Sequence, residues 1–557
     1  MKSKHSYLVS MAGLLVGVGI IAPTCQFAAH AQVIPDGTLS TSVTSPDNQN
    51  FVIEAGDRTG DNLFHSFSEF SIPTDGSAVF NNPTDIENIF SRVTGPSLSN
   101  IDGLLQTAGT TNLFLLNPNG IIFGPNAQLD IAGSFTASTA DSLTFADGAE
   151  FSTAAEPPLL SISVPVGLQL NQPQGNIESQ GQLETGQDLT LLGQNLYVEG
   201  TVTAGQNLTL QAQDTVTLRD TSTVPFVARS GADLTIQGDQ SIDILTLGHL
   251  EQAPFVSGGD LTLISDGRIS ADAHFQSGGD LRFLDLAGAP GSIVSLHDPI
   301  ILADGDVVLG DYTGVALKVE ARGSIDAGDI VITGPDTTLS ADGSGSDIDL
   351  LASSRAAILR AGVNADLGQP PGSITVSSIN TSDVTGGDGG PIILEAAGDI
   401  TTTGFFLGPQ GEPITLGSFS FSEGSDSGNG GTIIISSASG DIALRGNRQS
   451  NRPDNLASPG PGLRPVTVGS FSLSVRGNSG RGGPISIAAD SGSIEVVGNL
   501  NTQSFAFQGF DLSVPAGNSS NAGDITLTSN AGDISVEGLL DASAGSNALS
   551  YPSGNSG

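Results

Sequence analysis

From about residue 186 the chain repeats one phrase: a Gly or other corner residue, an Asp or Asn, then aliphatic residues at alternate positions. It reads Gln187-Asp188-Leu189-Thr190-Leu191, Gln206-Asn207-Leu208-Thr209-Leu210, Ala232-Asp233-Leu234-Thr235-Ile236, Gly259-Asp260-Leu261-Thr262-Leu263 and Gly279-Asp280-Leu281. A period of two is that of a strand with one buried face. Later copies are expected to start at Val307, Ile330, Ile348 and Ile374, so successive first aliphatics lie 18–27 residues apart. A longer unit follows, with strand pairs starting at Ile392 and Ile400, Ile433 and Ile442, Ile485 and Ile494, and Ile525 and Ile534. Three of these units share a Phe-containing strand: Ser418-Phe419-Ser420-Phe421, Ser470-Phe471-Ser472-Leu473 and Ser504-Phe505-Ala506-Phe507. A Pro/Asn-rich stretch from Asn447 to Arg464 reads as a protruding loop.

Short strands at this period predict an all-β solenoid in which each coil stacks on the next. Leu189 is expected above Leu208, and so on along a rod, with Gly, Asn and Asp at the corners because they tolerate positive φ. A β-propeller shares the 40-residue unit but needs longer strands.

Composition supports this picture. Gly is 74 of 557 residues, Trp is absent, and hydrophobic residues still make up 38%, too many for a disordered chain. Lys2, Lys4 and His5, the apolar run from Tyr7 to Ala22 and the small-x-small Ala29-His30-Ala31 read as a signal peptide, residues 1–31, with Gln32 as the mature N-terminus. Cys25, the single cysteine, falls inside it. The mature chain then has no thiol, and its stability rests on a continuous core. It has 16 basic residues against 58 acidic, with Lys318 the only lysine left, which excludes nucleic acid as a partner.

Residues 32–160 differ in being rich in Phe, including Phe51, Phe64, Phe67, Phe70, Phe80 and Phe90, and can build a cap over the open end of a rod. Within them, Asn117-Pro118-Asn119-Gly120 separates two apolar strands and reads as a tight turn. The segment resembles the secretion domain of filamentous haemagglutinin-like two-partner secretion exoproteins, in the form common in cyanobacteria. The matching runs are Asn62-Leu63-Phe64-His65-Ser66-Phe67-Ser68-Glu69-Phe70, Asn88-Ile89-Phe90-Ser91-Arg92-Val93-Thr94-Gly95, Ile101-Asp102-Gly103, Thr111 to Gly124 and Gly133-Ser134-Phe135-Thr136-Ala137-Ser138-Thr139. The resemblance implies a right-handed parallel β-helix with an N-terminal β cap. It implies recognition by a dedicated outer-membrane β-barrel transporter, and maps a family motif onto Asn117, Pro118, Asn119 and Gly120. That motif either contacts the transporter or stabilises the cap turn. A second family motif, Asn-Pro-Asn-Leu, is not matched; the nearest run is Asn81-Asn82-Pro83-Thr84.

The expected organisation is a signal peptide (1–31), a secretion domain (32–165) and a β-helical stalk (166–557) truncated before a C-terminal cap. The expected product is a secreted, cell-surface-associated adhesin that reaches the outside through the periplasm, with surface glycans or other cells as candidate partners. The alternative is a β-helical carbohydrate-active enzyme, which would need a cleft of converging carboxylates and an Arg. Asp347 and Asp349 would share one strand face, and Asp188, Asp233, Asp260 and Asp280 would form a ladder. The favoured reading of that ladder is turn stabilisation. His65, His249, His274 and His297 form no catalytic or metal pattern, His65 is expected in cap packing, and Gly386-Gly387-Asp388-Gly389-Gly390 is a single copy of a Ca²⁺-repeat-like run. No catalytic residue, metal or cofactor is assigned.

Overall fold

The computed structural model describes residues 32–547 except 155–159, 162, 164, 170–174, 249–252, 342, 344, 364–369, 410, 446–465 and 509–516. The signal peptide, His249, the whole of the expected 447–464 loop and the last ten residues lie outside the described residues.

The chain is a parallel β-helix. Its short strands fall on three ladders, each one residue column per coil. In one column Leu189 lies on Leu208, Leu208 on Leu234, Leu234 on Leu261 and Leu261 on Leu281, the order expected from the repeats. The C-terminal pairs obey the same rule: Ile392, Ile433, Ile485 and Ile525 stack in one ladder, and Ile400, Ile442, Ile494 and Ile534 in another. The inward rows merge into a single apolar core running from Val33 to Leu500. Alternate residues such as Thr190, Thr209 and Thr235 sit outward, half-buried.

The corner residues form a second, side-chain ladder. Asp233 Oδ1 accepts the backbone N–H of Asp260 at 2.9 Å, Asp260 that of Asp280 at 2.8 Å, Asp280 that of Asp306 and Asp306 that of Ser324, each at 2.7 Å. The pattern continues through Asp399, Asp441 and Ser493. Each Asp therefore serves the coil after it, not its own turn. This also explains the preceding glycines. A Cβ on Gly259, Gly279, Gly305 or Gly323 would stand 2.1–2.3 Å from the Asp Oδ1 of the coil below. None of these four has positive φ, so close approach, not left-handed backbone, requires Gly. Arg282 bridges Asp260 and Asp280, easing repulsion along the row. Asp388, in the Ca²⁺-like run, takes part in a parallel row by accepting Asn429 N–H at 2.7 Å.

Three expectations need correction. Ile330 does not continue the Val307 column. Val307 pairs with Ile325, and the long strand Ile325–Gly334 bends so that Ile330 joins the next face over Tyr312. Ile348 starts no strand, and Asp347 and Asp349 share no strand face, because both lie in helix α1, Asp347–Ser353. The Phe strands form a separate side sheet, Ser420–Glu423, Ser472–Val475, Ser504–Phe507 and Ala544–Asn547, with Ser420 on Ser472 and Ser472 on Ser504. The first two of these strands begin at Ser420 and Ser472, two residues later than the runs read from the sequence, and the third begins at Ser504 as read.

If the Gly-Asp corner fixes coil spacing, Gly279→Ala should lower the urea midpoint through a loss of roughly 1–3 kcal/mol. Gly334→Ala, at a site open to solvent around the new Cβ, should leave the midpoint unchanged. Equal effects of the two would contradict the steric account.

Candidate functional site: the N-terminal cap and the Asn-Pro-Asn-Gly turn

The first strands run antiparallel and then hand over to parallel coils. Val33–Pro35 and Asp57–Thr59 pair antiparallel with Asn62–Phe70, whose other edge pairs parallel with Asn88–Val93. Thr41–Thr44 pairs antiparallel with Asn50–Ala55, which passes register in parallel to Ser77–Phe80. The cap thus covers the first edge of the rod while templating its parallel register. The Phe residues serve two cores. Phe67, Phe70 and Phe80 point into the rod. Phe64 and Phe90 pack outside it, against Phe145 and Phe151. An antiparallel side sheet, Ser142–Phe145, Glu150–Ser152 and Pro165–Gln169, covers that outer cluster.

Arg92 joins these layers and is fully buried. Its Nε donates to Ser66 Oγ at 2.8 Å and its Nη2 to Thr38 Oγ1 at 3.0 Å. Its Nη1 reaches the Ser152 carbonyl of the side sheet, and the guanidinium lies 5.3 Å from the Phe151 ring centre. Ser66 relays to Asp36 Oδ2 at 2.6 Å, which also accepts Thr94 Oγ1 at 2.8 Å. Burial pushes the Asp36 carboxyl up, but the Ser66 hydroxyl and the Thr38 and Thr94 donors together hold it below its ordinary value. Sequence reasoning placed Arg92 in a recognised run without assigning it a role, because its partners lie 26–60 residues away.

His65 packs in the cap as expected, between Phe67 and Phe80. It is 1% exposed and its Nδ1 has no hydrogen-bond partner. Burial lowers its pKa to about 4, against a weak opposing pull from Asp57.

The turn at Asn117–Gly120 is clamped between coils. Asn117 is buried; its Nδ2 donates to the Ser97 carbonyl and to Ser99 Oγ, both at 3.0 Å, and its Oδ1 accepts the Asn119 N–H at 3.0 Å. Below, Gly175 N donates to the Pro118 carbonyl at 2.8 Å. Gly120 has φ of 124°, and a Cβ there would press on the Asn176 carbonyl. Pro118 is half-buried and Asn119 is exposed, with Asn119 Nδ2 reaching the Gly95 carbonyl at 2.8 Å. The four residues thus divide into a buried pair that sets the turn and an outer pair that faces solvent. The Asn82-Pro83 run also uses a buried Asn, which bonds Thr111 Oγ1 and the Ala108 N–H of the next coil.

The carboxylates that do converge are elsewhere. His274 Nε2 lies 2.7 Å from Asp298 Oδ1 at the end of an outer groove that also includes Arg229. Asp298, which lines that groove, and Asp336 are both buried. Asp188, Asp233, Asp260 and Asp280 align, and the Oδ1 of each accepts a backbone N–H of the next coil.

The described residues form a parallel β-helix with a cap at its N-terminal end and a clamped turn among its first coils. Residues 31–271 match the family model for the TPS secretion domain. Two solved structures are similar to it. One is the HMW1 secretion domain from Haemophilus influenzae, at 13% identity, 92% of this chain, 98% of that chain and TM-score 0.32. The other is the filamentous hemagglutinin secretion domain, at 18% identity, 54% of this chain, 96% of that chain and TM-score 0.27. No curated protein matches the chain.

A neutral buried His65 favours the folded cap fully above its ordinary value near 6.5, and this contribution is lost as pH falls through about 4. Hydrogen-exchange protection of Asn62–Phe70 should therefore fall on acidification towards pH 4. In His65→Leu the fall should move to lower pH. Superimposable profiles would remove His65 from the cap's acid response.

Proposed function

We propose that the chain crosses the inner membrane by the signal peptide at 1–31. A dedicated outer-membrane β-barrel transporter then recognises it in the periplasm through residues 32–165, with Asn117, Pro118, Asn119 and Gly120 presented as part of the recognised surface. Outside, the stalk from residue 166 acts as a surface rod that adheres to glycans or to other cells. The observation that supports this reading most is the family match across 31–271. The match begins where the proposed signal ends and includes the cap and the turn. A rod with many equivalent coils offers repeated weak contacts, which favours adhesion over a single-site activity. The strongly acidic surface keeps such a rod soluble and separate from like-charged neighbours.

The buried and exposed halves of the turn allow transporter contact to be separated from turn stability. The full chain is co-expressed with its transporter, and extracellular protein is scored together with the urea stability of purified, refolded chain. Asn117→Ala strands buried partners and should cost about 1–3 kcal/mol. Asn119→Ala should cost less than about 1 kcal/mol yet lower secretion several-fold. Normal secretion of Asn119→Ala would remove the exposed residue from recognition, and equal secretion without any transporter would defeat the route itself.

A further inference from the structure

Strands Ile121–Phe123, Ile177–Ser179, Leu196–Glu199 and Thr215–Arg219 stack in parallel on one face of the rod. Their inward residues, among them Ile177, Leu196, Val198 and Leu218, fill the core. The alternate residues face out in two columns. One column is Ile122, Glu178, Tyr197 and Thr217. In the other, Glu199 lies on Arg219. Gln180 reaches across from the preceding coil and donates its Nε2 to Glu199 Oε2 at 2.9 Å. Tyr197 thus has Glu178 on one neighbouring coil, Thr217 on the other and Glu199 two residues along its own strand. Coils lie ~4.8 Å apart, so these groups border one ring, and together they line a hollow of about 390 Å³.

A second hollow of about 400 Å³ shares Gln180 and Glu199 with the first and ends against the loop 220–224. That loop is held in shape. Asp220 Oδ1 accepts the Phe226 N–H and its Oδ2 the Gly248 N–H, both at 2.7 Å. Thr221 Oγ1 accepts the Val224 N–H at 2.7 Å. The two hollows therefore form one trough with a fixed wall. Tyr197 is 43% exposed, and among the described Phe and Tyr rings only Tyr197 and Phe405 are exposed.

The charges around the ring select among ligands. Arg219 is balanced by Asp243, whose carboxylate pairs with its Nη2 and whose carbonyl accepts its Nη1 at 2.7 Å. Glu178 and Glu199 then leave the trough net negative. An anionic ligand is repelled. A quaternary ammonium suits the charge, but such cations are held in cages of several rings. The trough offers one exposed ring, because Phe123 behind it is buried in the core. A protein partner needs an interface centre depleted of charge, whereas here carboxylates flank the ring.

We propose that this trough binds a neutral oligosaccharide, with Tyr197 as its stacking platform. The proposal rests on the adhesive reading above and gives it a site and a ligand class. A pyranose carries an apolar C–H face and a rim of hydroxyls. The face of the Tyr197 ring is negative and receives the C–H face. Glu178 and Glu199 accept hydroxyl hydrogens in charge-assisted bonds. The Gln180 amide and the Thr217 hydroxyl each offer a donor and an acceptor. The fixed loop wall lets the chain of sugars continue past Glu199 without ordering a mobile segment. Sulfated and uronic glycans are turned away by the two carboxylates. An open trough of this kind binds each glycan weakly, which suits contacts made many at a time.

Surface plasmon resonance of the purified, refolded full chain tests this on immobilised hexasaccharides of glucose, mannose and galactose. Heparin is the anionic probe and tetramethylammonium the competing cation. At least one neutral hexasaccharide should bind and heparin should not. Tyr197→Ala should weaken binding roughly tenfold or more, with an unchanged urea midpoint. Tyr197→Phe keeps the ring and should stay within about twofold of wild type. Phe405→Ala, at the other exposed ring, should bind as wild type. Glu199→Gln should weaken binding several-fold and is the second variant should Tyr197→Ala not fold. Equal binding by wild type and Tyr197→Ala would overturn the site and leave the adhesive reading standing. Binding of no neutral hexasaccharide, preference for heparin, or displacement by tetramethylammonium would overturn the ligand class, and adherence of the same chain to whole cells then judges the adhesive reading separately. Loss of transporter-dependent secretion in Tyr197→Ala would give the trough to the transporter and overturn the glycan site.

Discussion

Everything in this molecule depends on coil-to-coil register. A parallel β-helix has no hairpins to set its pairing, so each coil must be held in place by the coil before it. Backbone bonds alone tolerate slippage by two residues, since that keeps the same face inward. The corner ladder removes this freedom. An Asp oxygen at one corner takes the N–H at the next, and the glycine beside it allows the approach. Sequence, spacing and core burial are therefore linked through one repeated contact.

Such stacking must begin somewhere, and the cap supplies the first template. Its antiparallel strands close one edge and present a parallel one. Arg92 ties the cap, the first coils and the side sheet through Ser66, Thr38 and Ser152. The Asn117 turn lies among these early coils and is clamped by the coils on both sides. Features that shape the secretion domain and features that start the rod are thus the same residues. The core continues without interruption past residue 165 and past 271.

Much of this was legible in the sequence because each phrase is local and self-similar. Leu189, Leu208, Leu234, Leu261 and Leu281 could be stacked on paper because Gly-Asp corners punctuate them. The failures have physical causes. Ser-Phe-Ser-Phe has a period of two, so a two-residue shift maps the pattern onto itself, and the first two Phe strands begin two residues later than the pattern suggests. Ile348, Leu350 and Leu351 offer the same short aliphatic run whether in a strand or a helix. The Arg92 network was not legible, because folding alone brings its members together. Among the turn residues, sequence identified Asn117 to Gly120, but the division into a buried Asn117 and an exposed Asn119 required coordinates.

The central claim is that the N-terminal region is sufficient to direct the chain through its transporter. The most direct measurement fuses residues 1–271 to an inert reporter and follows the reporter into the medium with and without the transporter. The account predicts transporter-dependent release. It also predicts none for a fusion in which residues 1–31 are joined directly to 272–547. Release of that second fusion, or transporter-independent release of the first, would contradict it.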